Sequence, residues 1–341
     1  MNHITIQGRI VRDLEIEYTA SGTAWMRVPV AVDRKYAKDG KRETDFFECI
    51  TFGKTAEFVN KYFKKGDGII IQSPVYGPFR MSVAATGRTM MEAPLKRRED
   101  GGYDMDLGAV EAQCRAGAKM MILCSPHNPV SRAWRREELE ALIAVLRRYG
   151  VLLVSDEIHA DFVFAPNAFV PALSVTRENV VMLCAASKTF NLAGLQQASC
   201  VCCDKAMMEK LRQAVDACGV TSGNVMALAA TRAAYRDGDA WLDGLLAYLD
   251  ENRAELKRAV EEMLPRAVLT PMEATYLGWL DLRAYGFGND ELMERCFAAG
   301  VQFNGGTFFG EAGDGFVRVN IGCPRAHITE AIRRLEKALR D

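Results

Sequence analysis

From Gly68 onward the chain repeatedly sets an unbroken apolar run ahead of a stretch with helical periodicity. IIIQ, MMILCS, VLLVSDE and VVMLCAA are continuous apolar segments, and residues 135 to 149 (RREELEALIAVLRRY) between two of them place Leu139, Leu142, Ile143 and Leu146 on one helical face. A strand that alternates shows one face to water; a strand apolar throughout must be covered on both. The pattern predicts an α/β fold, a mostly parallel sheet between two layers of helices. The last hundred residues differ. A long charged helix around 247 to 263, strand-like YLGWLDL and FVRVNI, and a closing amphipathic helix from about 327 to 340 predict a smaller α+β lobe.

The first 67 residues have a third character. Residues 3 to 11, 26 to 33 and 45 to 52 are short β-rich runs separated by Gly, Asp and Lys clusters, and AEFVNKYF after Thr55 reads as one closing helix. No linker separates this unit from the next. The expected organisation is therefore 1–67, a β-rich unit; 68–245, a large α/β domain; and 246–341, a small C-terminal domain. With 341 residues, 49% of them hydrophobic and 26% charged, the chain can bury full cores, which excludes disorder as the dominant state. The net charge of −1 provides no global field for nucleic acid or anionic membrane. No apolar run reaches the roughly 18 residues a membrane span needs, and the first residues lack the form of a signal peptide, so the cytoplasm is the expected location. The ten cysteines follow no paired framework and are expected to be reduced and mostly buried.

Chemistry concentrates where apolar strands end. Lys188 follows VVMLCAA, Asp156 and Glu157 end VLLVSDE, and Asn128 follows MMILC in the turn SPHNP. Parallel strands bring their carboxyl ends to one crevice. Each residue has an ordinary reading as well: a solvated surface lysine, a helix cap, a turn. Together, a lysine able to form a Schiff base and two polar partners make a more specific set. The four histidines show no ligand spacing with Cys or acidic residues, so no catalytic metal is expected.

SPHNPVSRAW, SDEIHADFV, SKTFNLAGLQ, FNGGTFFG and RVNIGCPR, with PVYGPF ahead of them, resemble pyridoxal 5'-phosphate enzymes of the aspartate aminotransferase fold (fold type I). The wording is closest to the MalY/PatB type of cystathionine β-lyase. The resemblance implies that Lys188 binds the cofactor aldehyde and later removes the substrate α-proton. It implies that Asp156 pairs with the pyridine nitrogen, Asn128 with the ring oxygen, and Tyr76 with the ring face. Ser187 is the implied phosphate contact, and Arg318 the implied clamp for the substrate carboxylate. His159 would be a supporting residue beside Asp156, and His127 would only shape its loop. The implied reaction is β-elimination at a C–S bond, or transamination with the same residues, in a homodimer. The resemblance also implies about eighty residues ahead of IIIQSPVYGPF, including a phosphate-binding loop, where this chain carries the β-rich unit, and a glycine where Ser131 stands.

Residues 1 to about 67, GRIVRDLEIEYTASGTAWMRVPVAVDRKYAKDGKRETDFFECITFGKTAEFVNKYFKKGD among them, resemble the first half of a bacterial single-stranded DNA-binding protein. That implies a partial OB-fold with stacking aromatics and basic side chains along a strand path. Tyr36, Phe46 and Phe52 would stack on bases, with Arg34, Lys35 and Lys54 near phosphates; core packing is the competing reading of the two phenylalanines. Twelve Lys and Arg against ten Asp and Glu give this unit a weak +2 bias. Three readings follow: a pyridoxal-phosphate lyase or aminotransferase, a single-stranded DNA-binding module, or a recombined reading frame in which neither activity survives.

Overall fold

A computed structural model describes residues 9–10, 15–19, 24–33, 44–52, 66–217 and 223–340. The N-terminal unit holds β1 (Arg9–Ile10), β2 (Glu17–Tyr18), β3 (Ala24–Asp33) and β4 (Thr44–Phe52), all antiparallel to β3. Among the described residues four strands rather than three are present, because Glu17–Tyr18 is too short to read as a run. The expected helix after Thr55 lies outside the described residues.

The next unit begins with β5 (Gly68–Ile71), whose four residues are all buried, followed by β6 (Thr89–Glu92). A small ribbon, β7 (Lys96–Arg97) with β8 (Tyr103–Asp104), precedes β9 (Ala118–Cys124), β10 (Leu152–Asp156), β11 (Val180–Cys184) and β12 (Ser199–Val201). The six-stranded sheet runs β12-β11-β10-β9-β5-β6. Every pair in it is parallel except β11 with β12 at one edge, in keeping with the mostly parallel sheet expected.

Local sequence explains the helix that covers β9 and β10. It runs Arg136–Arg148, with Glu137 and Glu138 in its first turn and Arg147 and Arg148 in its last, which suits the helix dipole. The Glu138 carboxylate accepts from the Arg135 N–H over 2.8 Å. Leu139, Leu142, Ile143 and Leu146 are buried at the predicted spacing and share one core with Met121, Leu123 and Leu153.

The last lobe has β13 (Val268–Leu269), β14 (Leu277–Asp281), β15 (Asn304–Gly305) and β16 (Phe316–Asn320), antiparallel in the order β13-β14-β16-β15. The long helix spans Asp239–Met263, beginning earlier than its charge pattern suggests, and the closing helix spans Arg325–Ala338. Leu249, Leu256 and Val260 of the first meet Ile328, Ile332 and Leu335 of the second. All five residues of β14 are buried, so this sheet is covered on both faces. Successive side chains on a strand point to opposite faces. Leu280 and Val317 accordingly join the helices, whereas Trp279 and Phe316 join the core of the six-stranded unit.

Ser131 and Thr275 hold the two lobes together by an unusual device. Both have positive φ, +56° and +62°, the region that favours glycine and disfavours a β-branched residue. Their hydroxyls lie 3.2 Å apart, and Ser131 Oγ also donates to the Leu277 carbonyl. Those buried hydrogen bonds offset the backbone cost and give a physical reason for serine where glycine is the ordinary solution.

Of the eight cysteines whose side chains are described, all free, Cys114, Cys124 and Cys296 are buried, while Cys200 and Cys203 are exposed. The expectation of mostly buried thiols is thus corrected, since β12 is an edge strand with its three residues exposed.

Candidate active site

Strands β9, β10 and β11 are neighbours and parallel, so the segments leaving their carboxyl ends converge. Asp156 is the last residue of β10; Asn128 lies four residues beyond β9 and Lys188 four beyond β11. These three side chains, with Tyr76 from the start of the helix Gly77–Ala85, line one cavity of about 240 Å³. Its other wall comes from the last lobe: Tyr276, Arg318 and Asn320. A larger cavity of about 830 Å³ lies beside the helix Asp239–Met263 and gathers none of these residues.

The cavity's electrostatics follow from burial. Asp156 is pushed up to about 6, chiefly by burial, against the Ile158 N–H at 3.2 Å and the nearby Lys188 charge, which favour its ionised form. Burial also raises Glu157 to about 7, although its carboxylate accepts from the Ala172 N–H and the Ser155 hydroxyl. His159 is held neutral, lowered to about 3 by burial and by the positive charges of Lys188 and Arg318. It sits 4% exposed against the Tyr276 and Phe162 rings, and its Nδ1 has no partner. His127 plays a structural part: it is fully buried, its Nε2 lies 2.9 Å from the Pro74 carbonyl, and burial lowers it to about 4.

Arg318 connects the walls. Its Nη1 donates to Asn128 Oδ1 over 2.9 Å and its Nη2 to Asn304 Oδ1 over 2.8 Å, while the guanidinium lies 4.9 Å from the Phe309 ring centre. Its Nε is buried with no hydrogen-bond partner. An orphaned charged donor and an underpaired buried carboxylate lining one cavity call for a ligand with both an anionic and a cationic part. The donor set suits pyridoxal phosphate bound to an amino acid: an amine, a carboxylate for a protonated ring nitrogen, an amide for a ring oxygen and an arginine for a carboxylate.

Tyr76, Asn128, Asp156, Lys188 and Arg318 are therefore brought together. Ser187, expected at the phosphate, is half-buried and does not line the cavity; its carbonyl accepts from the Leu192 N–H. Sequence reasoning missed Tyr276, Asn304 and Asn320, which become visible only when the second lobe closes the cavity; the start of YLGWLDL carried no chemical signal. On the N-terminal unit, Phe46 and Phe52 lie on β4 opposite Ala31 and Trp25 in backbone register. Arg34, Lys35, Tyr36 and Lys54 lie outside the described residues.

This sheet order, with a lysine after one strand and an aspartate closing its neighbour, is the architecture of fold type I enzymes. Residues 49–335 match the model of aminotransferase class I and II, and the chain belongs to that family. It is 36% identical over 286 residues to the cystathionine beta-lyase PatB of Bacillus subtilis, covering 82% of this chain and 74% of that one. It is 33% identical over 288 residues to the protein MalY of Escherichia coli, covering 84% and 74%. Cystalysin from Treponema denticola, solved with its pyridoxal 5'-phosphate cofactor, superposes with a TM-score of 0.79 at 31% identity, covering 83% and 74%. Residues 1–75 match the single-strand binding protein family, and a 74-residue stretch is 40% identical to the single-stranded DNA-binding protein of Fusobacterium nucleatum, covering 21% of this chain and 48% of that protein. The two matches overlap over residues 49–75.

Proposed function

We propose that the chain is a pyridoxal-phosphate-dependent C–S β-lyase acting on a cystathionine-like or cysteine-conjugate amino acid. The observation that carries this reading is the convergence of Lys188, Asp156, Asn128 and Arg318 on one cavity in a chain similar to PatB. Lys188 is the residue that would carry the cofactor, with Asp156 at the ring nitrogen, Asn128 at the ring oxygen and Tyr76 against the ring. When bound, pyridoxal phosphate supplies an electron sink for negative charge developing at the substrate α-carbon. Arg318 binds and orients the α-carboxylate through a planar pair of N–H donors. Lys188 Nζ would accept the substrate α-proton and return a proton to the departing thiolate. Asp156, ionised once it faces a cation, keeps that partner protonated. His159, neutral and fenced by Tyr276 and Phe162, supports the Asp156 side of the cavity without adding charge. Transamination uses the same residues and differs in where the proton returns.

The same reading includes a cytoplasmic homodimer and the division into residues 1–67, 68–245 and 246–341. Among the described residues no helix is long and apolar enough to cross a membrane. The test is direct. The purified chain with pyridoxal phosphate is expected to show a visible absorbance band that borohydride abolishes and Lys188→Ala lacks, and to release pyruvate from cystathionine. A chain with no band refutes cofactor binding; a band with keto-acid exchange and no pyruvate points to an aminotransferase.

A second reading concerns residues 1–75, whose match to the single-strand binding family favours a single-stranded DNA contact through Arg34, Lys35, Tyr36, Phe46, Phe52 and Lys54. Salt-sensitive retention of oligo-dT would support it, and retention insensitive to salt would count against phosphate contacts.

A further inference from the structure

We propose that Asn304 is a positioning residue that sets Arg318 for a carboxylate ligand; this rests on the carboxylate role proposed above for Arg318. Asn304 lies on β15 directly opposite Arg318 of β16 in the antiparallel register, so the two side chains share one face. Its Oδ1 accepts from Arg318 Nη2 over 2.8 Å. On the other side Asn128 Oδ1 accepts from Nη1 over 2.9 Å. The guanidinium is thereby held between two amide oxygens, one from each lobe, above the Phe309 ring.

The chemistry of the two acceptors matters. A guanidinium has five N–H donors in a rigid plane. Two are spent on the asparagines, and Nε–H, buried and unpartnered, remains beside the second N–H of the neighbouring nitrogen. Nε–H and one adjacent Nη–H form the parallel pair that a carboxylate accepts. An amide oxygen fixes the plane without neutralising it. Among the described residues the guanidinium's hydrogen bonds go to amide oxygens rather than to a carboxylate, so its charge stays available. An aspartate at 304 would occupy the same place but compete with the ligand's own carboxylate. The exposed Asn304 thus governs discrimination for the acid group without touching the reacting atoms.

The experiment compares L-alanine with L-alaninamide, which lacks the carboxylate and, like alanine, has no β-leaving group. Dissociation constants are read from the change each causes in the visible spectrum of the cofactor-loaded full chain. For Asn304→Ala the affinity for alanine is expected to fall about tenfold, the scale of one hydrogen bond to a charged group, while that for alaninamide changes less than about twofold. Asn304→Asp is expected to bring the two affinities close to equal. An acid-to-amide ratio unchanged in both variants overturns the role of Asn304. Equal binding of acid and amide by the unaltered chain removes the carboxylate role from Arg318 itself and this inference with it. Unchanged thermal melting of both variants separates positioning from folding.

Discussion

The Arg318 guanidinium donates to the Asn128 side-chain oxygen over 2.9 Å, joining residues 190 positions apart and the two lobes that wall the cavity. Asn128 is 4% exposed, so this oxygen has little water to turn to. Asn128→Ala is expected to weaken both pyridoxal phosphate and amino-acid binding, each by about tenfold, because on the proposed reading one side chain would serve ring oxygen and arginine alike. Equilibrium titration of each ligand checks this; loss confined to the cofactor would detach Asn128 from Arg318 in function.

Asp156 lines the same cavity from the end of β10. Asp156→Asn keeps the shape and removes the charge, so Lys188 should still take up the cofactor while kcat falls by more than about a hundredfold, the scale of losing a buried charge partner. Pyruvate release together with the absorbance band provides the two readouts. Full activity with an intact band would refute the pairing with the ring nitrogen.

The four buried titratable groups around the cavity make a pH prediction. Folding raises Asp156 from 3.8 to about 6 and Glu157 from 4.5 to about 7, and it lowers His127 and His159 from 6.5 to about 4 and about 3. Between about pH 5 and 6 the folded chain thus holds two carboxyl protons that the unfolded chain has lost, and the unfolded chain holds two imidazole protons that the folded chain excludes. The four contributions nearly cancel. Glu157→Gln preserves the acceptor for Ala172 and removes one folded-state proton, so the unfolded chain then binds one more. Stability of the cofactor-free variant is expected to fall on acidification by about 1.4 kcal/mol per pH unit relative to the parent. Urea denaturation at several pH values measures the slope, and parallel slopes would contradict the assignment.

Trp279 is fully buried where the lobes meet. It stacks on Phe316 at 5.0 Å, meets Phe309 edge-on at 5.3 Å and donates its Nε1–H to the Tyr103 hydroxyl over 3.2 Å. Trp279→Ala is expected to cost about 3–5 kcal/mol, and Trp279→Phe less. Since Phe309 also carries the Arg318 guanidinium, the alanine variant should raise KM as well as lower the denaturation midpoint.

Much of this molecule was written along the chain. Continuous apolar runs foretold β5, β9, β10 and β11, because a strand covered on both faces tolerates few polar residues, and the heptad-like spacing of Leu139 to Leu146 foretold its helix. Strand ends then carried Asn128, Asp156 and Lys188, residues with few structural reasons to stand there together. Short or edge elements were less legible: Glu17–Tyr18 and Ser199–Val201 are too brief for a periodic signal, and their pairing depends on neighbours far away.

Sequence alone determined the α/β layering, the family and three of the residues that gather at the cavity, since those rest on local patterning and on residue types that chemistry restricts. Tertiary structure alone decided that Ser187 stands off the cavity, that Tyr276 and Asn320 close it, and that Asn304 holds Arg318. The physical reason is distance along the chain. A hydrogen bond between Asn128 and Arg318, or a left-handed turn at Ser131 secured by Thr275, leaves no periodic trace, because its free energy exists only after the lobes have packed.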